Sequence, residues 1–318
     1  MRRGSGAAMG QDRGGSFTES EIDSQPALWQ SMLADRERVS RARELLVAPG
    51  ERVLFIGCGT SAFMAQSLAI LREEAGLGES HWAYGSELPP ASRSYDRVIA
   101  LTRSGTTTEI LEALSRFRGL ARTVAVCAVP GMPVEDLCDD VLVLEEADEQ
   151  SVVQTRFPTS LLVLARAAFA GEGDEVSRRL AELPGELEAA LSSPIPNVAL
   201  FDHYVYLGRG WAQGLATEAA LKIREAAQAW AESYPSLDYR HGPIAVAGER
   251  TLVFIFDPVP EGLVSDVEAV GATVWSSSED PLVQLVCAQR IAVALARHRG
   301  LDPDHPRHLT RSIILAEG

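Results

Sequence analysis

Lysine is almost missing from this chain: of its 29 basic residues only Lys222 is not arginine. An arginine-rich coding bias explains the rarity but leaves the position unexplained. Basic charge as a whole is short, with 29 Lys and Arg against 44 Asp and Glu and a net charge of −15. That sign excludes general nucleic-acid binding, whose affinity comes from neutralising phosphates, and leaves any phosphorylated ligand dependent on local donors. Cysteine is scarce too. Cys58, Cys127, Cys138 and Cys287 sit in apolar stretches without CxxC spacing, which excludes a disulfide framework and fits a reduced, cytoplasmic protein. No uncharged apolar run approaches the roughly 18 residues that cross a bilayer, and the first residues lack the apolar region of a secretory signal. No membrane partner is expected. The glycine spacings of a dinucleotide fold and of a Walker A loop are also missing, so NAD and ATP are disfavoured.

What is present is globular. With 46% hydrophobic and 23% charged residues over 318 positions, the chain holds about two domains at about 150 residues each. Residues 1–15, rich in Gly, Arg and Ser, read as a disordered leader. Over 16–48, Ile22, Leu28, Met32, Leu33, Val39 and Leu45 follow a helical spacing, predicting an N-terminal helical arm interrupted near Pro26. Buried-strand runs then alternate with helices. Strands fall at 53–56, 97–101, 122–127 and 140–144, with helices over 62–75 and 109–117 and a helical connection over 158–192 broken near Pro184. The plan repeats with strands at 204–207, 252–256 and 273–275 and a helix over 212–228. Such alternation predicts an α/β fold of two doubly wound halves, 49–192 and 193–318 with a C-terminal tail, each a parallel sheet flanked by helices. Ligands in such sheets bind beyond the carboxyl ends of the strands.

Two turns there are rich in hydroxyls: Gly57 to Ser61 and Thr102 to Glu109. Glycine permits close backbone approach, while hydroxyls and free N–H groups at a helix start suit a phosphate monoester. Helix capping competes with that reading, and Thr106 with Glu109 has the spacing of a capping box. Two equivalent turns favour a ligand site. Downstream, Glu218, Lys222 and Glu225 share one face of a helix, either as a surface ion pair or as a partly buried cluster able to tune a general base. His241 lies in a tight loop, DYRHGP, where a structural role is the ordinary one. The DPDHPRH run at 302–308 matches no established metal spacing and reads as a polar loop.

Taken together, VLFIGCGTS (53–61), VIALTRSGTTTE (98–109), EQSVVQTRFPTS (149–160), LATEAALKIREAA (215–227), DYRHGP (238–243) and DPDHPRHLTRSI (302–313) resemble the sugar isomerase (SIS) family. The likeness is to the isomerase half of glucosamine-fructose-6-phosphate aminotransferase and to AgaS-type sugar-phosphate isomerase/deaminases. It implies two SIS domains, each with a five-stranded parallel sheet, and no metal or organic cofactor. Thr102, Ser104 and Thr107 would hold the phosphate of a sugar phosphate, with Gly59, Thr60, Ser61 and Gln154 around the sugar; Arg103 and Gly105 join the implied substrate-binding set, with Lys222 as a nearby cation. Glu225 would move a proton between C1 and C2, and His241 would assist ring opening from the neighbouring subunit of a homodimer. The implied activity is aldose-ketose isomerisation and deamination of a 6-phosphorylated amino sugar without glutamine amidotransferase activity. A fructosamine-phosphate deglycase or a non-catalytic sugar-phosphate sensor are the alternatives. Arg311 stands where the family's imine-forming lysine would be, and a guanidinium, protonated near neutral pH, is a poor nucleophile.

Overall fold

Every residue of β1 (Val53–Gly57) and β3 (Arg97–Leu101) is buried, as continuous apolar runs must be in a parallel sheet covered on both faces. With β2 (Ser80–Tyr84), β4 (Arg122–Cys127) and β5 (Asp140–Val143) they form a parallel sheet in the order β2-β1-β3-β4-β5. Phe55 pairs with Trp82 on one side and Ile99 on the other, fixing the register of the centre. A second parallel sheet has the order β7-β6-β8-β9, from β6 (His203–Gly208), β7 (Trp230–Pro235), β8 (Thr251–Ile255) and β9 (Thr273–Ser276). These elements come from a computed structural model that describes residues 16–171 and 173–315. The expected leader at 1–15 lies outside the described residues.

Ten α-helices cover the sheets: α1 (Ser16–Asp23), α2 (Gln25–Ala34), α3 (Arg36–Leu46), α4 (Thr60–Glu74), α5 (Thr108–Phe117), α6 (Arg156–Phe169), α7 (Glu175–Ser192), α8 (Ala212–Ala227), α9 (Leu263–Ala269) and α10 (Pro281–His298) among the described residues. One core joins the inner faces of both sheets, from Phe55 and Ile99 to Tyr206 and Phe254. Each fully buried aliphatic or aromatic side chain there contributes about 1.5–3 kcal/mol. The N-terminal helices belong to this core through Trp29 and Met32, both without solvent exposure. The helix does break beside Pro26, which occupies the first turn of α2 where its missing N–H costs nothing.

A tight helix crossing positions the site. At Gly214 of α8 a Cβ would lie 2.3 Å from Ser67 Oγ and 2.4 Å from the Phe63 carbonyl oxygen of α4, so only glycine fits. Ser67 Oγ donates to the Trp211 carbonyl 2.8 Å away. The two helices run antiparallel from that point, and the start of α4 comes to lie beside the middle of α8.

Three expectations change. The second sheet has four strands rather than five among the described residues, because after α10 the chain runs without a strand across to the first sheet's turns. The strands β2 and β7 were not foreseen: both are edge strands, only partly buried, and lack a continuous apolar run. The 158–192 connection breaks between α6 and α7, where Asp174 accepts from Gly171 N and Ser177 N and caps α7, whereas Pro184 sits inside that helix.

Candidate functional site

The first turn after β1 is built by two glycines. A Cβ on Gly57 would fall 2.3 Å from the Ser61 backbone, and Gly59 adopts φ 53°, ψ −127°, a region closed to other residues. This geometry starts α4 at Thr60 with no side-chain cap. Thr60 Oγ1 turns instead to α8, donating to Glu218 Oε1 at 3.1 Å and accepting from Lys222 Nζ at 3.2 Å. The second turn, after β3, bends at Gly105 (φ 68°), where a Cβ would meet Met132 Cβ at 2.6 Å. Here the capping box, the competing reading, does not form. Thr106 Oγ1 bonds Ser104 Oγ and Ser312 Oγ, and Glu109 Oε2 is buried without a partner. The hydroxyls of both turns are thus not spent on capping.

Donors converge there. The N–H groups of Ser104, Gly105 and Thr107 have no acceptor among the described residues, at the positive end of α5. Cys58, Ser61, Thr102, Ser104, Thr107 and Gln154 line a cleft with about 30 Å³ of free room, enough for water but not for a sugar. Thr102 Oγ1 and Gln154 Oε1 are buried there without partners. Buried polar groups are ordinarily satisfied, so two orphans at one cleft mark a place for a ligand.

The segment 310–315 covers this cleft. Ser312 Oγ lies 3.1 Å from Ser104 Oγ and 2.9 Å from Thr106 Oγ1, Thr108 N donates to the Ile313 carbonyl, and Arg103 donates to the Arg311 carbonyl. The Arg311 guanidinium itself is paired with Asp148. Upstream, Asp304 of the DPDHPRH run accepts from Phe17 N and Thr18 N, fastening the segment to α1.

On α8, Glu218, Lys222 and Glu225 form a buried cluster, not a surface pair. Lys222 is 1% exposed; its Nζ lies 3.2 Å from Glu218 Oε1 and 2.6 Å from Glu225 Oε2. Burial opposes the ammonium charge, but the two carboxylates outweigh it and hold the lysine pKa above its ordinary value. Burial pushes the Glu218 carboxyl up to about 7, against the pull of Lys222, and its Oε2 has no partner. Between its ordinary 4.5 and about 7 the folded state holds a proton that the unfolded chain has released, so stability falls as pH rises across that window. Glu218→Gln is expected to flatten this fall in thermal melts between pH 4.5 and 7; an unchanged slope would assign it elsewhere.

His241 is not brought to the cleft within the chain. It is exposed, ends a 3₁₀ turn (Asp238–His241) and has no hydrogen-bond partner among the described residues. Tyr239, fully buried against Tyr234, anchors that turn. The turns after β6 and β8 of the second sheet, Gly208 to Trp211 and Phe256 to Pro260, carry no hydroxyl side chains. Sequence reading missed Ser312, Glu149 and Glu21. Glu149, 1% exposed, accepts from Thr155 and Arg156 at the start of α6 and faces Arg103 at 3.6 Å.

No protein-family model matches the chain. A glutamine–fructose-6-phosphate aminotransferase (isomerizing) of Chlorobaculum tepidum is 28% identical over 360 residues, covering 94% of this chain and 58% of its own length. The chain spans a little over half the length of the curated relatives it matches. The crystal structure of a glucosamine-6-phosphate deaminase from Thermotoga maritima has a TM-score of 0.82 at 25% identity, covering 94% of this chain and 100% of that one. The C-terminal domain of glucosamine-fructose-6-phosphate aminotransferase from Francisella tularensis has a TM-score of 0.77 at 19% identity, over 95% of this chain and 100% of that one, a likeness of fold alone. The chain is thus similar in sequence to the glutamine–fructose-6-phosphate aminotransferases and in fold to the glucosamine-6-phosphate deaminase, in line with its resemblance to the sugar isomerase (SIS) proteins.

Proposed function

We propose that the protein is a cytoplasmic sugar-phosphate aldose-ketose isomerase that also deaminates, acting on a 6-phosphorylated amino sugar such as glucosamine 6-phosphate. The observation that carries this reading is the link from acid to turn: Lys222 Nζ joins Glu225 to Thr60, which opens the α4 turn beside the cleft. The phosphate is held by the hydroxyls of Thr102, Ser104 and Thr107 and by the free N–H groups of the 104–107 turn. The sugar extends toward Gly59, Thr60, Ser61 and Gln154. Glu225 takes the C2 proton of the open-chain amino aldose, giving an enolamine, and returns it to C1. Water then adds to the resulting imine at C2 and ammonia leaves, so one amino sugar phosphate and one water yield fructose 6-phosphate and ammonia. Lys222 holds the Glu225 carboxylate in place through the 2.6 Å ion pair. His241 completes the site from the second copy in a homodimer and assists ring opening.

Incubation with glucosamine 6-phosphate, followed by assays for ammonia and fructose 6-phosphate, tests the reading. Tight binding of hexose phosphates without turnover would replace it by a sensor, and release of an amine from a fructosamine phosphate by a deglycase. Because Ser312 occupies donors that the phosphate needs, ligand binding must displace the 310–315 segment. Ser312→Ala removes two hydroxyl contacts of about 0.5–1.5 kcal/mol each and is expected to tighten inorganic phosphate binding about fivefold. Equal affinity by calorimetric titration would place the phosphate elsewhere.

A further inference from the structure

The loop that carries Gln154 has little of its own to hold it. Between Asp148 and Thr155 only the N–H groups of Gln150 and Ser151 find acceptors among the described residues, and both are on one carboxylate, Glu21 of α1. Ser151 Oγ lies against Glu21 Oε2 and also 2.8 Å from the Val153 carbonyl. The Ser151 carbonyl in turn accepts from Arg103 Nη1 at 3.0 Å, in the heart of the 102–107 turn. Glu21 is 4% exposed, Ser151 is fully buried and Arg103 is 2% exposed, so water cannot replace these contacts.

We propose that Glu21 is a positioning residue for the phosphate-binding turn, setting the 149–155 loop so that it both holds Arg103 and presents Gln154 to the cleft. The inference rests on reading that turn as the phosphate site. The hydroxyl proton of Ser151 cannot serve Glu21 and Val153 at once. A neutral Glu21 resolves the conflict by donating to Ser151 Oγ while Ser151 donates to Val153. Burial, with the nearby Glu149 carboxylate, pushes the Glu21 carboxyl up in the same direction. A glutamine reproduces that neutral acid, accepting from Gln150 N and donating to Ser151 Oγ.

The test titrates the full chain with inorganic phosphate and with glucosamine 6-phosphate, and follows turnover of the latter. Glu21→Ala is expected to weaken both ligands and raise KM about tenfold while kcat stays within about twofold, since the α8 carboxylates are untouched. Glu21→Gln is expected to stay within about twofold of the native chain in every parameter. A merely structural role would lower kcat and thermal stability together and leave KM alone. Should Glu21→Ala fail to fold, Ser151→Ala, which keeps the backbone contacts, is expected to weaken phosphate about threefold. Native affinity in Glu21→Ala, or Glu21→Gln as weak as Glu21→Ala, overturns the inference while leaving the phosphate reading in place. A native chain that binds neither probe overturns both.

Discussion

Replacing Glu225 by glutamine is expected to lower turnover of glucosamine 6-phosphate by about 10²–10⁴-fold, the usual contribution of a positioned general base. The amide keeps the shape of the side chain and its acceptor for Lys222, 2.6 Å away in the native cluster, so substrate affinity should stay within about twofold. Only the capacity to take a proton is lost. Glu225 is suited to that task because it is the less buried acid of the cluster, with 20% of its side chain exposed against none for Glu218. Solvent reaches it, whereas Glu218 is buried and bonded by Thr60. Rapid-quench kinetics together with a binding titration separate the two quantities, and turnover near the native rate would remove Glu225 from the mechanism.

The second large effect is on stability. Lys222→Met keeps the length of the side chain but removes the one cation between two carboxylates, one of them fully buried. Breaking a buried charge pair in this way costs about 3–5 kcal/mol, because the remaining charge is left without compensation. The loss should be larger above pH 7 than at pH 5, since protonation of Glu218 at low pH relieves part of the repulsion. Adding Glu218→Gln to the lysine variant should recover a substantial part. Denaturant unfolding at both pH values measures this, and a change below about 1 kcal/mol, ordinary for a surface substitution, would show that the cluster does not depend on its cation.

The central strands were legible in the sequence because burial on both faces writes itself as a continuous apolar run, as in Val53 to Ile56. Edge strands leave no such mark: Trp82 and Glu232 each face a half-open side. Lys222 was conspicuous by composition, but nothing local distinguished a buried cluster from an exposed pair. That depended on α4 crossing α8 at Gly214. Thr106 was ambiguous for a related reason, since the partner that draws its hydroxyl away from capping, Ser312, lies 206 positions along the chain. Glu21 gave no signal at all. Its spacing is that of an ordinary helix face, and its partner Ser151 is 130 positions distant. Local chemistry can be read from local sequence, whereas contacts that converge from remote segments become visible only in the folded chain.

One consequence of the lone buried lysine is practical. With a single side-chain amine in the whole chain, and that amine 1% exposed inside the α8 cluster, isotopic methylation of lysine would place one magnetic reporter at the heart of the molecule. Its chemical shift would register the charge on the two flanking acids without any mutation. Because the reagent reaches the amine only when the helices part, the labelling rate would also time how often that interior opens.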